Sequence, residues 1–160
     1  MLILCLLAFT ITACDQNESP GDAFVAAMEF DGGTVRIETA TDTFTLGVEV
    51  AASDDQRRVG LMRRESLAAD SGMIFLFQSE QDPDGVFWMY QTYVPLSIAF
   101  IGADSTIGSI RDMEPCPSPY PQSCPYYEAR VPFVSALEVN RGWFRERGIE
   151  VGARVVLTGN

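Results

Sequence analysis

Hydrophobic and polar residues alternate along several short stretches of the chain. The clearest stretch is 43–50, where Phe44, Leu46, Val48 and Val50 are apolar and the residues between them are mostly polar. A period of two predicts a strand that buries one face. Alternating or uniformly apolar runs predict further strands at residues 35–38, 73–77, 86–90, 96–101, 106–113, 131–139 and 154–157.

Helix signals occur at only two places. Ser53 and Gln56 have the spacing of a capping box, which predicts a short helix that runs toward Gly60. A second short helix is predicted at residues 143–147. Because the strands do not alternate with helices, we expect one mainly β domain over residues 24–160, a compact, largely antiparallel barrel or sandwich of seven or eight strands with two short helices.

The chain begins with a targeting signal. Residues 1–13 carry no charge and are nearly all apolar, but they are fewer than the roughly 20 residues that a helix needs to cross a bilayer. We interpret them as a signal peptide. Residues 11–14 read Ile-Thr-Ala-Cys, which resembles the bacterial lipobox, so Cys14 is the expected lipidation site and residues 14–23 a flexible tether. The alternative is a plain signal peptide in which Cys14 has no role.

This signal predicts where the protein is found. We expect it at the periplasmic face of a bacterial membrane, with the membrane as its partner through the lipid on Cys14. Asp15 follows the lipidated position, and by resemblance to known lipoproteins this predicts retention at the inner membrane.

Cysteine usage agrees with export. If Cys5 leaves with the signal and Cys14 carries lipid, Cys116 and Cys124 remain in the folded part. A pair of cysteines in an oxidising compartment is expected to form a disulfide. The proline-rich residues 117–123 between them predict a loop that this disulfide closes. A redox-active pair is the alternative, although the spacing is not Cys-x-x-Cys.

The composition excludes several kinds of chemistry. The chain has eleven arginines, no lysine, no histidine and a net charge of −11. The absence of histidine excludes a Ser-His-Asp or Cys-His couple and His-containing zinc sites. The absence of lysine excludes a lysine Schiff base and the phosphate-binding P-loop. The negative charge argues against nucleic acid as a partner. We expect no metal and no cofactor.

Recurring glycine, methionine, proline and aromatic positions form an ordered series of blocks across the predicted domain. The blocks are Gly60, Leu61, Met62 and Arg64; Gly72, Met73, Phe75 and Phe77; Phe87, Trp88, Met89 and Thr92; Pro95, Leu96 and Phe100; Met113 and Pro115; Leu137, Glu138, Val139 and Gly142; Gly148 and Gly152. From about residue 45 to residue 157 the sequence resembles the domain of unknown function 192 family. The resemblance implies a small single-domain β fold, often exported or lipid-anchored, and no established activity.

Four of the eleven arginines fall within eight positions. They are Arg57, Arg58, Arg63 and Arg64. Guanidinium groups pair with carboxylates and phosphates, so the cluster is a candidate anion site or a contact for anionic lipid headgroups. The alternative is charge balance with nearby aspartates and glutamates, which we favour for Arg58 and Arg63, whereas Arg57 and Arg64 stay candidate ligand-binding residues.

The segment 86–90 places Trp88 and Tyr90 on the same face of a predicted strand, and the polar residues Gln91 and Thr92 follow. An aromatic face beside polar groups can stack a sugar or another flat ligand. Such a strand more often fills a core, and that alternative stays open.

Glu138 lies in the phase opposite to the apolar residues of its strand, so we expect it at the surface. If it is buried, it needs a partner, for which Arg57 and Arg64 are the obvious donors. An envelope hydrolase that works without histidine would pair Glu138 with Asp112 or Glu114.

The leading hypothesis is a non-enzymatic binding module for a small anionic or sugar-like ligand or for an envelope partner, and the carboxylate-based periplasmic hydrolase is the alternative. The expected binding groove consists of Arg57, Arg64, Trp88, Gln91, Thr92 and Glu138.

Overall fold

A computed structural model describes residues 20–159 of the chain. The predicted signal peptide, Cys14 and most of the predicted tether lie outside the described residues. The nine strands within them are β1 (Asp31–Glu38), β2 (Thr43–Ala51), β3 (Ser71–Gln81), β4 (Val86–Trp88), β5 (Leu96–Ile101), β6 (Ile107–Met113), β7 (Tyr126–Glu128), β8 (Phe133–Asn140) and β9 (Arg154–Gly159).

The helices of the described part are short. They are α1 (Pro20–Ala26), α2 (Asp54–Val59), α3 (Trp143–Glu146) and a single 3-10 turn at Pro121–Ser123. Helix α2 has the predicted capping box, in which the Ser53 hydroxyl accepts a bond from the Gln56 N–H at 3.2 Å and the Gln56 side chain accepts one from the Ser53 N–H at 3.0 Å. None of the helices in residues 20–159 is long and apolar enough to cross a membrane. Helix α1 was not predicted.

The strands confirm the predicted mainly β fold. Seven of them form one sheet in the order β6-β5-β8-β3-β2-β1-β9, and β4 pairs with β7 in a separate two-stranded sheet. Every pairing is antiparallel except that of β2 with β3. The large sheet is not closed, although a bridge between Thr106 and Arg154 joins its two edge strands at one end.

Several strands differ from the sequence-based expectation, and β1 and β3 are both longer than predicted. The strand predicted at residues 86–90 ends at Trp88, because the chain turns at Gln91, whose φ of 52° lies in the left-handed region. Strand β7 was not predicted, since its three residues lie next to prolines and show no long alternation.

Each face of the large sheet carries its own apolar core. On one face, Trp143 and Phe144 of α3 pack against the sheet. On the other face, Phe87 of β4 and the half-cystines Cys116 and Cys124 pack in one core with residues of β3, β8 and β5. The predicted disulfide joins these two cysteines, with an S–S distance of 2.07 Å. The Cys116 N–H donates to the Thr92 carbonyl at 3.0 Å, so the disulfide loop is attached to the segment that follows β4.

Candidate functional site

The most unusual polar residue of the described chain is Glu138. It lies in β8, where it is paired with Met73 of β3 and Ile98 of β5 in the middle of the sheet. Its exposed fraction is 4%. The expectation of a surface position was wrong, because a period of two predicts a wet face only when one side of a strand is uncovered, and both sides of β8 are covered.

The Glu138 carboxyl group has no hydrogen-bond partner within residues 20–159. The two arginines expected to pair with a buried Glu138 bond elsewhere. Burial without compensation disfavours the charged form, and it raises the pKa of Glu138 to about 8. At neutral pH this side chain is therefore mostly a neutral acid that can both donate and accept a hydrogen bond.

A small cavity lies against this carboxyl group, and we call it the Glu138 cavity. Its volume is about 30 Å³, which is close to the share of one water molecule in the liquid. It brings together four of the six residues of the expected groove, and Arg64 and Gln91 are not among its lining residues. The lining residues are Arg57, Arg58, Val59, Gly60, Leu61, Met62, Phe75, Phe87, Trp88, Tyr90, Thr92 and Glu138.

Aromatic rings form much of the wall. Phe75 and Phe87 meet edge to face with their centroids 5.1 Å apart, and Phe87 belongs to the core. Trp88 and Tyr90, 5.5 Å apart, remain half-buried at the rim, and Tyr126 of β7 stacks on Trp88 at 6.4 Å. The β4 segment therefore contributes one face to the core and the other to the rim of the cavity.

The loop that follows α2 forms the opposite wall and was missed as a site element by sequence reasoning. Gly60 ends the helix with a φ of 49°, and a Cβ atom at this position would lie 3.2 Å from the Phe75 ring. The glycine thus allows the loop to approach the aromatic wall closely. The sequence signal for this wall is the Gly60-Leu61-Met62 block that follows the capping box.

Arg57 lines the cavity, but its guanidinium group is held by the protein itself. It pairs with Asp54, donates to the Leu76 carbonyl at 2.7 Å and lies over the Phe77 ring at 5.0 Å from the centroid. These contacts occupy both the charge and the donors of Arg57. It is a structural link between α2 and β3.

The other three arginines of the cluster are also paired. Arg64 donates to Glu49 at 2.8 Å, Arg63 pairs with Asp22 and with the Gln91 side chain, and Arg58 lies 3.8 Å from Asp55. The charge-balance interpretation of Arg58 and Arg63 agrees with these pairs. Arg57, Arg63 and Arg64 are therefore engaged by the protein itself, whereas Arg58 is 68% exposed and has only a long contact with Asp55.

Two of the four non-glycine residues with a positive φ within residues 20–159 lie beside the cavity. Arg63 and Gln91 are non-glycine residues with φ of 61° and 52°, and the Arg63 N–H donates to the Gln91 carbonyl at 2.7 Å. This hydrogen bond joins the two turns at the point where the loop after α2 contacts the segment after β4. Strain of this kind costs about 1–3 kcal/mol per residue and is typical of functional sites.

A second carboxylate does not reach Glu138. The register pairs Ser97 with Asp112 and with Val139, so the Asp112 side chain lies on the opposite face of the sheet from Glu138. Glu114 pairs with Arg141 at 2.6 Å. Within residues 20–159, neither of the two acids expected to pair with Glu138 in a hydrolase converges on it.

Side chains that could bind a metal ion do not cluster in the described part of the chain either. No group of three or more acidic, cysteine or histidine side chains with metal-binding geometry occurs within residues 20–159.

Comparison with known proteins adds the family but not an activity. The sequence model of the domain of unknown function 192 family, described as "Uncharacterized ACR", matches residues 33–157. None of the curated proteins matches the chain.

Two solved structures are similar to this one. The first, described as a "putative transcription regulator" from Sinorhizobium meliloti 1021, is 34% identical with a TM-score of 0.70, and the match covers 81% of this chain and 95% of that one. The second, a protein of unknown function from Novosphingobium aromaticivorans DSM 12444, is 29% identical with a TM-score of 0.62, and the match covers 77% and 83%. Together, the ordered sequence blocks, the β fold and these matches show that the chain belongs to the domain of unknown function 192 family.

Proposed function

We propose that this protein is an exported binding module that holds a small sugar-like ligand at the Glu138 cavity. The observation that carries the proposal is a buried carboxyl group without a hydrogen-bond partner, which faces a cavity under an aromatic rim. A sugar presents an apolar C–H face to an aromatic ring and hydroxyl groups at its edge. Trp88 and Tyr90 are placed to take the face, and Glu138 and Thr92 to take one hydroxyl group.

The size of the cavity defines how such a ligand binds. About 30 Å³ accommodates one hydroxyl group but not a ring, so the ring rests at the mouth of the cavity. Of the two ligand classes expected from the sequence, the sugar-like class is supported, because the guanidinium groups that favoured an anion are paired with carboxylates. A net charge of −11 opposes binding to nucleic acid phosphates, so a role in transcription is not proposed for this chain.

Calorimetric titration with glucose as the reference sugar tests the proposal. We expect saturable binding, and we expect Trp88→Ala to weaken it about tenfold because one aromatic contact is worth about 1–1.5 kcal/mol. Tyr120→Ala is the matched control, since Tyr120 is 64% exposed and does not line the cavity. Absence of saturable sugar binding, or equal loss in both variants, would overturn the proposal.

We further propose that the module is held at the periplasmic face of a membrane by lipid on Cys14, with retention at the inner membrane. The lipobox-like residues 11–14 support this location, and a disulfide suits an oxidising compartment. Mass spectrometry of the protein extracted from its own envelope is expected to find lipid on Cys14 and a chain that begins there, whereas Cys14→Ala should be recovered without lipid. An unmodified Cys14 in the mature chain would contradict the anchor.

A further inference from the structure

The chemistry of the Glu138 cavity selects among sugar-like ligands. Glu138 offers up to two carboxylate oxygens, and no donor within residues 20–159 satisfies them. The neutral acid can donate or accept, whereas the ionised form can only accept, so a ligand group that donates is the one that stabilises the ionised form. A hydroxyl group supplies one donor, whereas a primary ammonium group supplies three and a full opposite charge.

The walls of the cavity favour a cation. Phe75, Phe87, Trp88 and Tyr90 line the cavity together with Glu138, and the face of an aromatic ring carries a negative quadrupole that attracts an ammonium group. The volume of about 30 Å³ also suits a single –NH₃⁺ group, which is about as large as a water molecule.

The charged groups around Glu138 do not cancel this preference. Helix α2 contributes Arg57, whose charge is paired with Asp54, and Arg58, which is 68% exposed to solvent and lies 3.8 Å from Asp55. The segment after β4 contributes Tyr90. The flanking strands contribute the apolar partners described above, Met73 of β3 and Ile98 of β5.

We propose that the Glu138 cavity is an ammonium subsite and that the physiological ligand is an amine-bearing, sugar-like molecule whose protonated primary amine pairs with the Glu138 carboxylate under the aromatic rim. This inference rests on the proposed sugar-binding function and narrows its ligand class. Binding is proton-linked. In the free protein Glu138 holds its proton at neutral pH, since burial raises its pKa to about 8, and the incoming cation displaces that proton to solvent.

The test compares glucose with 6-amino-6-deoxyglucose, two probes that differ only by an ammonium group in place of a hydroxyl group. Titrations at pH 7 are run in two buffers of different ionisation heat, which gives the number of protons exchanged. We expect the amino sugar to bind at least about tenfold more tightly than glucose and to release close to one proton per site, whereas glucose releases none.

Glu138→Gln is the matched variant, because it keeps the shape of the side chain and removes the acid. It should bind the two sugars within about twofold of each other and exchange no proton. The proton count on the unmodified protein keeps the test decisive even if this variant folds poorly.

The outcomes separate the inference from the proposed function. Equal binding of both sugars by the unmodified protein, without proton release, overturns the ammonium subsite and leaves the sugar-binding function standing. An unchanged preference for the amino sugar in Glu138→Gln also overturns it, since the net charge of −11 would then be the cause. Binding of neither sugar overturns both proposals.

Discussion

The two faces of the large sheet bury polar groups in opposite ways. On the α3 face, Ser97 is 1% exposed, donates to Asp112 at 2.5 Å and accepts the Gly142 N–H at 2.9 Å. Asp112 also accepts from Arg145 at 3.2 Å. On the cavity face, Glu138 is 4% exposed and has no partner within the described residues.

This difference separates polar groups that stabilise the fold from a polar group that is available to a ligand. The Ser97 network satisfies its donors and acceptors and attaches α3 to the sheet, so it contributes to stability in the way that buried polar groups ordinarily do. Glu138 reduces stability, because a buried acid without a partner disfavours its own charged form. A chain that retains such a residue must gain something else from it, and the gain we infer is a ligand contact.

Glu138→Gln gives the largest expected effect. The folded chain keeps the Glu138 proton up to a pH of about 8, whereas an unfolded glutamate loses it near its ordinary pKa of 4.5. Between these values the folded state holds more protons, so Glu138 lowers the free energy of unfolding increasingly as pH rises. The variant should therefore be more stable than the unmodified protein by about 3 kcal/mol at pH 7 and nearly equal to it at pH 4.

Urea denaturation at pH 4, 7 and 8.5 measures this dependence. Asp112→Asn is the matched control on the other face, and we expect it to destabilise the protein because it weakens the contacts with Ser97 and Arg145. A stability gain in Glu138→Gln that does not grow with pH would show that Glu138 titrates normally in the folded protein.

Glu138 also shows which features of the protein can be predicted from the sequence and which depend on the fold. Strand β2 and the capping box of α2 were predicted because the residues that determine them are neighbours in the chain. The burial of Glu138 was not, because it depends on β3 and β5 pairing on both sides of β8. The same is true of Arg57, whose carbonyl partner Leu76 lies 19 residues away and is brought close only by the fold.

Removal of the disulfide is expected to have the second-largest effect on stability. The disulfide closes the loop that is attached to the segment after β4 on the cavity face, whereas the Ser97 network attaches α3 to the opposite face of the sheet. Replacing Cys116 and Cys124 with alanine together should lower the free energy of unfolding by about 2–3 kcal/mol, because a short closed loop restricts the unfolded chain. Thermal or urea unfolding measures the loss. Reductant should shift the unmodified protein to the same value and leave the double variant unchanged; a response of the variant to reductant would contradict this assignment.

Ser97→Ala is expected to change the free energy of unfolding least, and it tests whether the Ser97 network stabilises the α3 face. The change removes one hydroxyl group, which leaves the buried Gly142 N–H without its acceptor and Asp112 with one donor fewer, so we expect a loss of about 1–2 kcal/mol. Ser109→Ala is the matched control. Ser109 is 7% exposed in the neighbouring strand β6, and its hydroxyl group has no partner within residues 20–159.

The Ser109→Ala change should alter stability by less than about 0.5 kcal/mol, because it breaks no hydrogen bond. Urea denaturation of the two variants at one pH gives the comparison directly. Equal losses in both would mean that burial of a serine, and not its hydrogen bonds, determines the cost. Satisfaction of buried polar groups would then no longer distinguish the α3 face from the cavity face, and the burial of Glu138 would no longer indicate a ligand contact.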